Sequence, residues 1–408
     1  MTSNLVAVIQ DDGGRLLRPA LEAVQFAGYD WRTASNSAHR WGYAGIQLSS
    51  FHLPPKALVE TDLAEQVLGF MSDLGPAYDD EPFRLAGYST HCALEAWGFP
   101  QHPGSLLFVP APDTVKKKLF GKPEKIREWM WENVVQYIPA ATEKLKLLGT
   151  HTFIPPAVVG DIPELKFAGA HVPAYNFVPN HSVPVLRNGK MVNINIWEEA
   201  VYRQAERMRP FIEDMAQRKL WAGEEMHWDT IARGPAEYHQ AREMFAKVLG
   251  EDARSVLQLG FDGSHKWAGG GSYEDWVDAS GDLIKALHVK RSQQRLKNPA
   301  ITGDNAWNRR AMQFDAANTG DREGGDPTIG DQLNYVIANS SFVYHPTFPG
   351  EKAVGKLGGR DVYTKFAVAE GEHPSMTQVT TAKEYAKALQ PLCDRRYGSG
   401  FKVGGTKG

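Results

Sequence analysis

The chain has 408 residues, a length typical of two domains or of one large domain with insertions. Its hydrophobic fraction of 42% and charged fraction of 23% exclude a disordered, collagen-like or coiled-coil protein. The net charge of −3 leaves no overall field to attract nucleic acid or an anionic membrane. We therefore expect neither partner, and instead expect a small-molecule substrate and self-association.

The cysteines and the apolar runs indicate a cellular compartment. Cys92 and Cys393 form no zinc-binding or haem-attachment motif, and two isolated cysteines are typical of free thiols in a reducing compartment. Residues 1–14 lack the basic and apolar regions of a signal peptide. No apolar run approaches the ~18–20 residues that a membrane-spanning helix needs. The sequence predicts a cytoplasmic protein and identifies no cofactor.

Up to about residue 120, short apolar runs alternate with amphipathic stretches. Strands are predicted at Leu5–Ile9, Tyr43–Ser49, Phe83–Ala86 and Leu106–Val109, and helices at Arg15–Phe26, Thr61–Leu74 and Thr90–Trp97. Because strands and helices alternate, this region is predicted to be a mostly parallel sheet covered by helices.

The second part of the chain has a different character. Residues 114–148 are predicted to be helical, and residues 151–185 are too rich in proline for a long helix. Asn188-Gly189 lies between apolar runs and predicts a β-hairpin, and helices follow at 197–221 and 235–249. The fold class is therefore predicted to be α/β, with an α/β sheet domain at 1–150. A mixed α+β region at 151–408 is predicted to include the proline-rich linker and a glycine-rich tail.

A serine motif follows the third predicted strand. Gly87-Tyr-Ser-Thr-His91 lies between Phe83–Ala86 and a helix of small residues, so that Ser89 would sit on a tight turn from strand to helix. There the N–H groups of the helix N-terminus can stabilise an oxyanion. Together with the order of the elements before it, this motif resembles the nucleophile elbow of the α/β-hydrolase superfamily over residues 1–115. His91 stands where that family has a small residue.

The resemblance implies a hydrolase with Ser89 as the nucleophile. His373 or His345 would then be the base, and Asp326 or Asp331 would orient it, in the chain order of that family. The alternative is that Ser89 simply caps the helix that follows.

A second cluster of reactive side chains begins at Glu224. Glu224 and His227 are three residues apart and would share one face of a helix, and His239 lies nearby in the sequence, so these three residues are candidate metal ligands. Glu370 and His373 repeat the spacing around a glycine. The alternative for the first cluster is a solvated polar turn.

The glycine-rich segment Gly260–Gly271 contains Asp262, Ser264 and His265, which would suit either a ligand-binding loop or a mobile surface turn. The main functional prediction is a serine hydrolase acting on an ester or acyl substrate. Two alternatives stay open, a non-catalytic subunit of a larger assembly and a metal-dependent enzyme.

Overall fold

A computed structural model describes most of the chain. The described residues are 15–100, 105–165, 172–176, 182–227, 230–266, 270–290, 292–294, 312–314, 328–370 and 377–394. The predicted strand Leu5–Ile9, the candidate base His373 and the glycine-rich tail lie outside these ranges.

Eight parallel strands close into a barrel in the order in which they occur in the chain. They are β1 (Leu17–Glu22), β2 (Gly45–Ser49), β3 (Arg84–Ser89), β4 (Gly149–Thr152), β5 (Trp221–Glu224), β6 (Leu257–Asp262), β7 (Ile284–Val289) and β8 (Lys365–Ala369). β8 pairs with β1 in register, from Leu17 opposite Lys365 to Leu21 opposite Ala369, and this pairing closes the ring.

Helical segments follow each barrel strand, as in a (β/α)8 barrel. The α-helices are Trp31–Arg40, Pro55–Glu60, Leu63–Asp73, His91–Gly98, Ser105–Phe108, Asp113–Leu119, Pro123–Asn133, Ile138–Lys144, Ile196–Gln217, Pro235–Leu249, Asp252–Val256, Tyr273–Ser280, Ile329–Asn339 and Gln378–Cys393. Within the described ranges, none of them combines the length and the apolar character needed to cross a bilayer.

Among the described residues, three two-stranded antiparallel ribbons lie outside the barrel. They are Ser182–Arg187 with Lys190–Asn195, Ser292–Gln294 with Met312–Phe314, and Gly355–Leu357 with Arg360–Val362. The first is the hairpin predicted from Asn188-Gly189, and both turn residues have positive φ, 54° and 76°. Asparagine and glycine tolerate that conformation better than other residues, which is why this pair marks the turn.

The α/β class is confirmed, but the resemblance to the α/β-hydrolases is wrong. The sheet is a closed barrel rather than an open sheet, and strands from both sides of residue 150 contribute to it. The parallel strands therefore continue through the region predicted to be mixed α+β. The predicted hydrolase loses its structural basis with this correction.

Two local predictions are also wrong. The segment Arg15–Phe26 is not a helix but contains β1, whose six residues are all buried. A strand covered on both faces shows no alternation of polar and apolar residues, so its leucines matched a helical spacing by chance. Pro19 in the middle of the segment was the signal against a helix. Leu106–Val109 is not a strand, since Ser105–Phe108 forms a helical turn.

Alternate residues of the strands pack on opposite sides of the barrel wall. Leu17 and Leu21 of β1 belong to the large hydrophobic cluster that includes the helices. Ala20 packs with Phe366 and Val368 in a separate small cluster. Since neighbours in a strand face opposite sides, this small cluster fills part of the barrel interior.

A glycine makes room for a tryptophan at the amino ends of two neighbouring strands. Gly149 of β4 lies opposite Trp221 of β5, and a Cβ atom on Gly149 would collide with the indole ring. Gly69, in the helix Leu63–Asp73, has open space where its Cβ would lie.

We expect Gly149→Ala to lower the free energy of unfolding by about 1–3 kcal/mol, because the indole must shift in a packed wall. Gly69→Ala is the matched control and should be neutral or stabilising by up to about 1 kcal/mol, since alanine favours a helix. Urea unfolding of both variants measures the difference. Equal midpoints for the two variants would contradict the packing of Trp221 against Gly149.

Candidate functional site

The carboxyl ends of the barrel strands bring buried polar side chains together. These side chains come from seven of the eight strands or from the residues that follow them, and they are Glu22, Gln47, His151, Glu225, Asp262, His265, His288, Lys290 and Glu370. In parallel barrels this end carries the active site, because the loops that follow the strands surround it.

Glu225 is the centre of this group. Its carboxylate accepts hydrogen bonds from Nε2 of His151 at 2.6 Å and from Nε2 of His265 at 2.7 Å, and it lies 3.4 Å from Nδ1 of His288. Burial by itself opposes ionisation of this carboxyl, but the three imidazoles outweigh burial and hold the pKa of Glu225 well below its usual value. Glu225 is therefore a carboxylate in the folded protein.

His288 connects Glu225 to a second carboxylate. Its ring stacks on that of His151, with the centroids 3.9 Å apart and the planes 6° from parallel. Its Nδ1 donates to Glu370 at 3.1 Å. Burial opposes the charged imidazole, but Glu225 and Glu370 overcome burial and raise the pKa of His288 well above its usual value.

The other edge of the His288 ring faces a polar pair behind the cluster. Its Nε2 lies 2.8 Å from Nε2 of Gln47, whose amide also contacts the carboxyl group of Glu22. Burial raises the pKa of Glu22 to about 8, so this carboxyl holds a proton at neutral pH. Gln47 and Glu22 thus fix the orientation of the ring, as outer residues do around metal-binding histidines.

Lys290 supplies the positive charge on the far side of the cluster. Its ammonium lies 3.0 Å from Oε2 of Glu370 and 3.1 Å from Oδ2 of Asp262. Nε2 of His265 lies 3.3 Å from the same ammonium. Burial opposes the charged carboxylate of Glu370, but Lys290 and His288 together outweigh burial and lower the pKa of Glu370.

Four of these side chains present a set of atoms that fits a metal ion. One ligand atom each from Glu225, Asp262, His288 and Glu370 lies within 4.8 Å of the others. Oδ2 of Asp262 is buried, 3.1 Å from the ammonium group of Lys290 and 3.4 Å from Nε2 of His265. Three carboxylates and one imidazole are donors that suit a divalent ion such as Mn²⁺, Co²⁺ or Mg²⁺. The residues present therefore fit a divalent metal.

The structure separates the three metal ligands predicted from sequence. Glu224 ends strand β5, so the predicted shared helix face does not exist, and its carboxylate accepts from the backbone N–H of Ile154. His227 borders the cluster, with its ring 4.4 Å from that of His265. His239 lies on the helix Pro235–Leu249, where its Nε2 is 2.7 Å from the carbonyl oxygen of Ala279.

The predicted catalytic triad is not assembled by the described residues. Ser89 is buried at the carboxyl end of β3, opposite His151. Asp331 lies in the first turn of the helix Ile329–Asn339 and accepts from the hydroxyl of Thr328. His345 lies beside the amino end of β8, where its carbonyl oxygen accepts from Lys365. Ser89 and His345 are therefore at opposite ends of the barrel.

Sequence reasoning missed most of the cluster. Asp262 and His265 lie in the segment proposed as a ligand-binding loop, and Glu370 lies in the repeat of the Glu-x-x-His spacing, but none was assigned to this site. His151, His288 and Lys290 are isolated in the sequence and match no local motif. The one available signal was that polar residues end or follow strands of a parallel sheet.

Comparisons with known proteins add likenesses of fold. No protein-family model and no curated protein matches the chain. A probable 3-DHS dehydratase from Bacillus anthracis is 14% identical, with 91% of this chain and 98% of that chain covered and a TM-score of 0.49. A D-psicose 3-epimerase is 11% identical, with 95% and 100% covered and a TM-score of 0.45. A xylose isomerase-like TIM-barrel protein from Mycobacterium smegmatis, solved with magnesium, is 12% identical, with 92% and 96% covered and a TM-score of 0.49. We therefore take the chemistry of the site from its own residues.

We expect Glu225→Gln to lower the free energy of unfolding of the metal-free protein by about 3–5 kcal/mol, because buried imidazoles lose their shared anion. Urea unfolding in the presence of EDTA measures this loss. Glu213→Gln is the control, since Glu213 is exposed and solvent screens its ion pair with Arg209 at 3.4 Å, so the loss of this pair should change the stability little. Similar losses in both variants would show that Glu225 does not hold the cluster together.

Proposed function

We propose that this protein is a divalent-metal-dependent enzyme that acts on a small polar molecule at the carboxyl end of the barrel. The observation that carries this proposal is the convergence of buried ligand atoms from Glu225, Asp262, His288 and Glu370 within 4.8 Å. Like-charged carboxylates are costly to bury together, and a cation at their centre offsets that cost. The metal-dependent alternative is thus retained from the sequence, with different ligands.

Each side chain of the cluster has a definite part in this proposal. Glu225, Asp262, His288 and Glu370 would hold the metal, which when bound polarises an oxygen atom of the substrate. Lys290 and His265 lie beside the ligands and donate hydrogen bonds to a substrate oxygen that gains negative charge.

Gln47 and Glu22 act as positioning residues. Gln47 lies 2.8 Å from Nε2 of His288 and is itself held by Glu22, so the ring keeps Nδ1 towards the carboxylates. Glu22 stays protonated at neutral pH because burial raises its pKa to about 8. A neutral carboxyl at this position adds no further negative charge to the cluster.

Metal analysis after equilibration with Mn²⁺ and gel filtration should show one divalent ion bound per chain. We expect Glu370→Gln and His288→Ala to lose the bound ion, because the first removes the negative charge of a ligand and the second removes a ligand nitrogen. Gln47→Ala should bind it about 10–100-fold more weakly, as a change behind the ligands does. Titration calorimetry with Mn²⁺ gives the affinities.

His239→Gln is the matched control, since it changes a histidine that the sequence indicated as a ligand and that lies outside the cluster. It should bind Mn²⁺ as tightly as the unaltered protein. Binding that is lost in His239→Gln and kept in His288→Ala would overturn the proposal, as would a folded protein that binds no divalent ion.

A further inference from the structure

A group of cationic side chains lies at the opposite end of the barrel from the candidate metal site. Lys365 is the first residue of β8 and Lys285 the second residue of β7. These strands are parallel neighbours with Ala367 opposite Leu287, so the same register places Lys365 opposite Lys285. Like charges directly opposite each other on neighbouring strands are destabilising.

Lys365 is a buried ammonium group without a countercharge in direct contact. Its residue is 3% exposed, and its Nζ donates to the carbonyl oxygen of His345 at 3.2 Å. The ring of Phe342 lies 5.0 Å from the ammonium. No carboxylate among the described residues forms an ion pair with Lys365 within 4.0 Å. A carbonyl group and a ring face only partly replace the water that this charge has lost.

The surroundings of both lysines are more basic than acidic. Burial, then Lys285, Lys365 and Arg360, lower the pKa of His345 to about 4. Burial lowers the pKa of Lys365 to about 7, with Lys285 adding to this and Glu351 opposing it. Oε2 of Glu351 accepts from the backbone N–H of Thr347 at 2.6 Å, so this carboxylate is already engaged.

Lys285 has the same kind of environment at the edge of the group. Burial lowers its pKa to about 8, with Asp282 opposing this shift and Arg242 adding to it. Lys285 is only half-buried, so the group is open to solvent on that side. A cavity of about 30 Å³ borders both lysines, and it is also lined by Trp221 and, towards the candidate metal cluster, by Gln47 and His151. That is more room than one water molecule needs.

We propose that this cavity at the amino ends of β7 and β8 binds a small oxyanion, such as phosphate, between Lys285 and Lys365. An oxyanion there provides the missing countercharge, accepts hydrogen bonds from both ammonium groups and removes the repulsion between them. Lys285 marks the side from which the anion enters. The two lysines lie at the opposite end of β8 from Glu370, and Gln47 and His151 of the candidate metal cluster line the other end of the same cavity.

Thermal unfolding and titration calorimetry of the EDTA-treated protein test the proposal, with inorganic phosphate as the probe. Phosphate should raise Tm more than sodium chloride of equal ionic strength does, since a ligand that binds only the folded state stabilises it. Lys365→Met and Lys285→Met should each weaken phosphate binding by at least about tenfold. Lys365→Met should also have an unchanged or higher Tm without phosphate, because it removes a buried ammonium group.

Proton uptake gives an independent readout. At pH 8 the pKa of Lys365, which burial lowers to about 7, leaves this amine mostly neutral. A bound anion favours the ammonium form, so phosphate binding should take up protons at pH 8. Calorimetry in buffers of different ionisation enthalpy measures that uptake, which Lys365→Met should lose. In Lys365→Met the surrounding groups stay as they are, namely His345, Arg360, Lys285, Glu351, Asp282 and Arg242.

Two controls decide where phosphate binds. Lys356→Met removes an exposed lysine whose side chain is 67% accessible, and it should leave phosphate binding intact. Lys290→Met removes the ammonium group of the candidate metal cluster and should also leave it intact. Binding that persists in both Lys365→Met and Lys285→Met, or that is lost in Lys290→Met, overturns the proposal. No increase in Tm beyond that of sodium chloride overturns it as well.

Discussion

The pairing of β8 with β1 is the constraint on which the rest of the structure depends. Residues Lys365–Ala369 hydrogen-bond alongside Leu17–Leu21, and this contact joins segments more than 300 residues apart in the sequence. Closure aims the carboxyl ends of all eight strands at one opening. Without it, Glu22 of the first strand and Glu370 after the last would not both approach His288.

The buried carboxylates at the carboxyl end of the barrel each need a partner that offsets the cost of burial. Buried carboxylates are stable only when they are paired, protonated or bound to a cation. Glu225 is paired with imidazoles and Glu370 with Lys290, so both are ionised, whereas burial keeps Glu22 protonated at neutral pH. Three glutamates in one cluster therefore have two protonation states, and the partners of each decide which it adopts. The ionised carboxylates of Glu225 and Glu370 therefore lie at the centre of the cluster, where they suit a divalent cation.

At the amino end of the barrel, the surroundings of Lys365 and Lys285 are more basic than acidic. Lys365 and Lys285 lie on neighbouring strands, and Glu351, the acid that acts on Lys365, accepts from the backbone N–H groups of Thr347 and Phe348. The barrel thus carries an excess of ligand-type carboxylates at one mouth and an excess of cations at the other. Phe366 and Val368 pack in the barrel interior between the two ends.

Patterns among residues that are close in the sequence predicted much of the secondary structure but few residues of the candidate site. The strand Gly45–Ser49, the helix Leu63–Asp73 and the hairpin at Asn188-Gly189 were all predicted, because the period of apolar residues and the turn residues are local properties. The α/β class followed from their alternation. A buried strand such as Leu17–Glu22 was not predicted, since burial on both faces removes the alternation that identifies a strand.

The sequence by itself determined the α/β class, the hairpin and several helices, because each depends on residues that are neighbours in the chain. Only the tertiary structure decided that the sheet closes and which polar residues meet. Glu225 and His151 are 74 residues apart, and His288 and Glu370 are 82 apart. No spacing along the chain records such contacts, since they arise from the parallel register of strands that long helical connections separate.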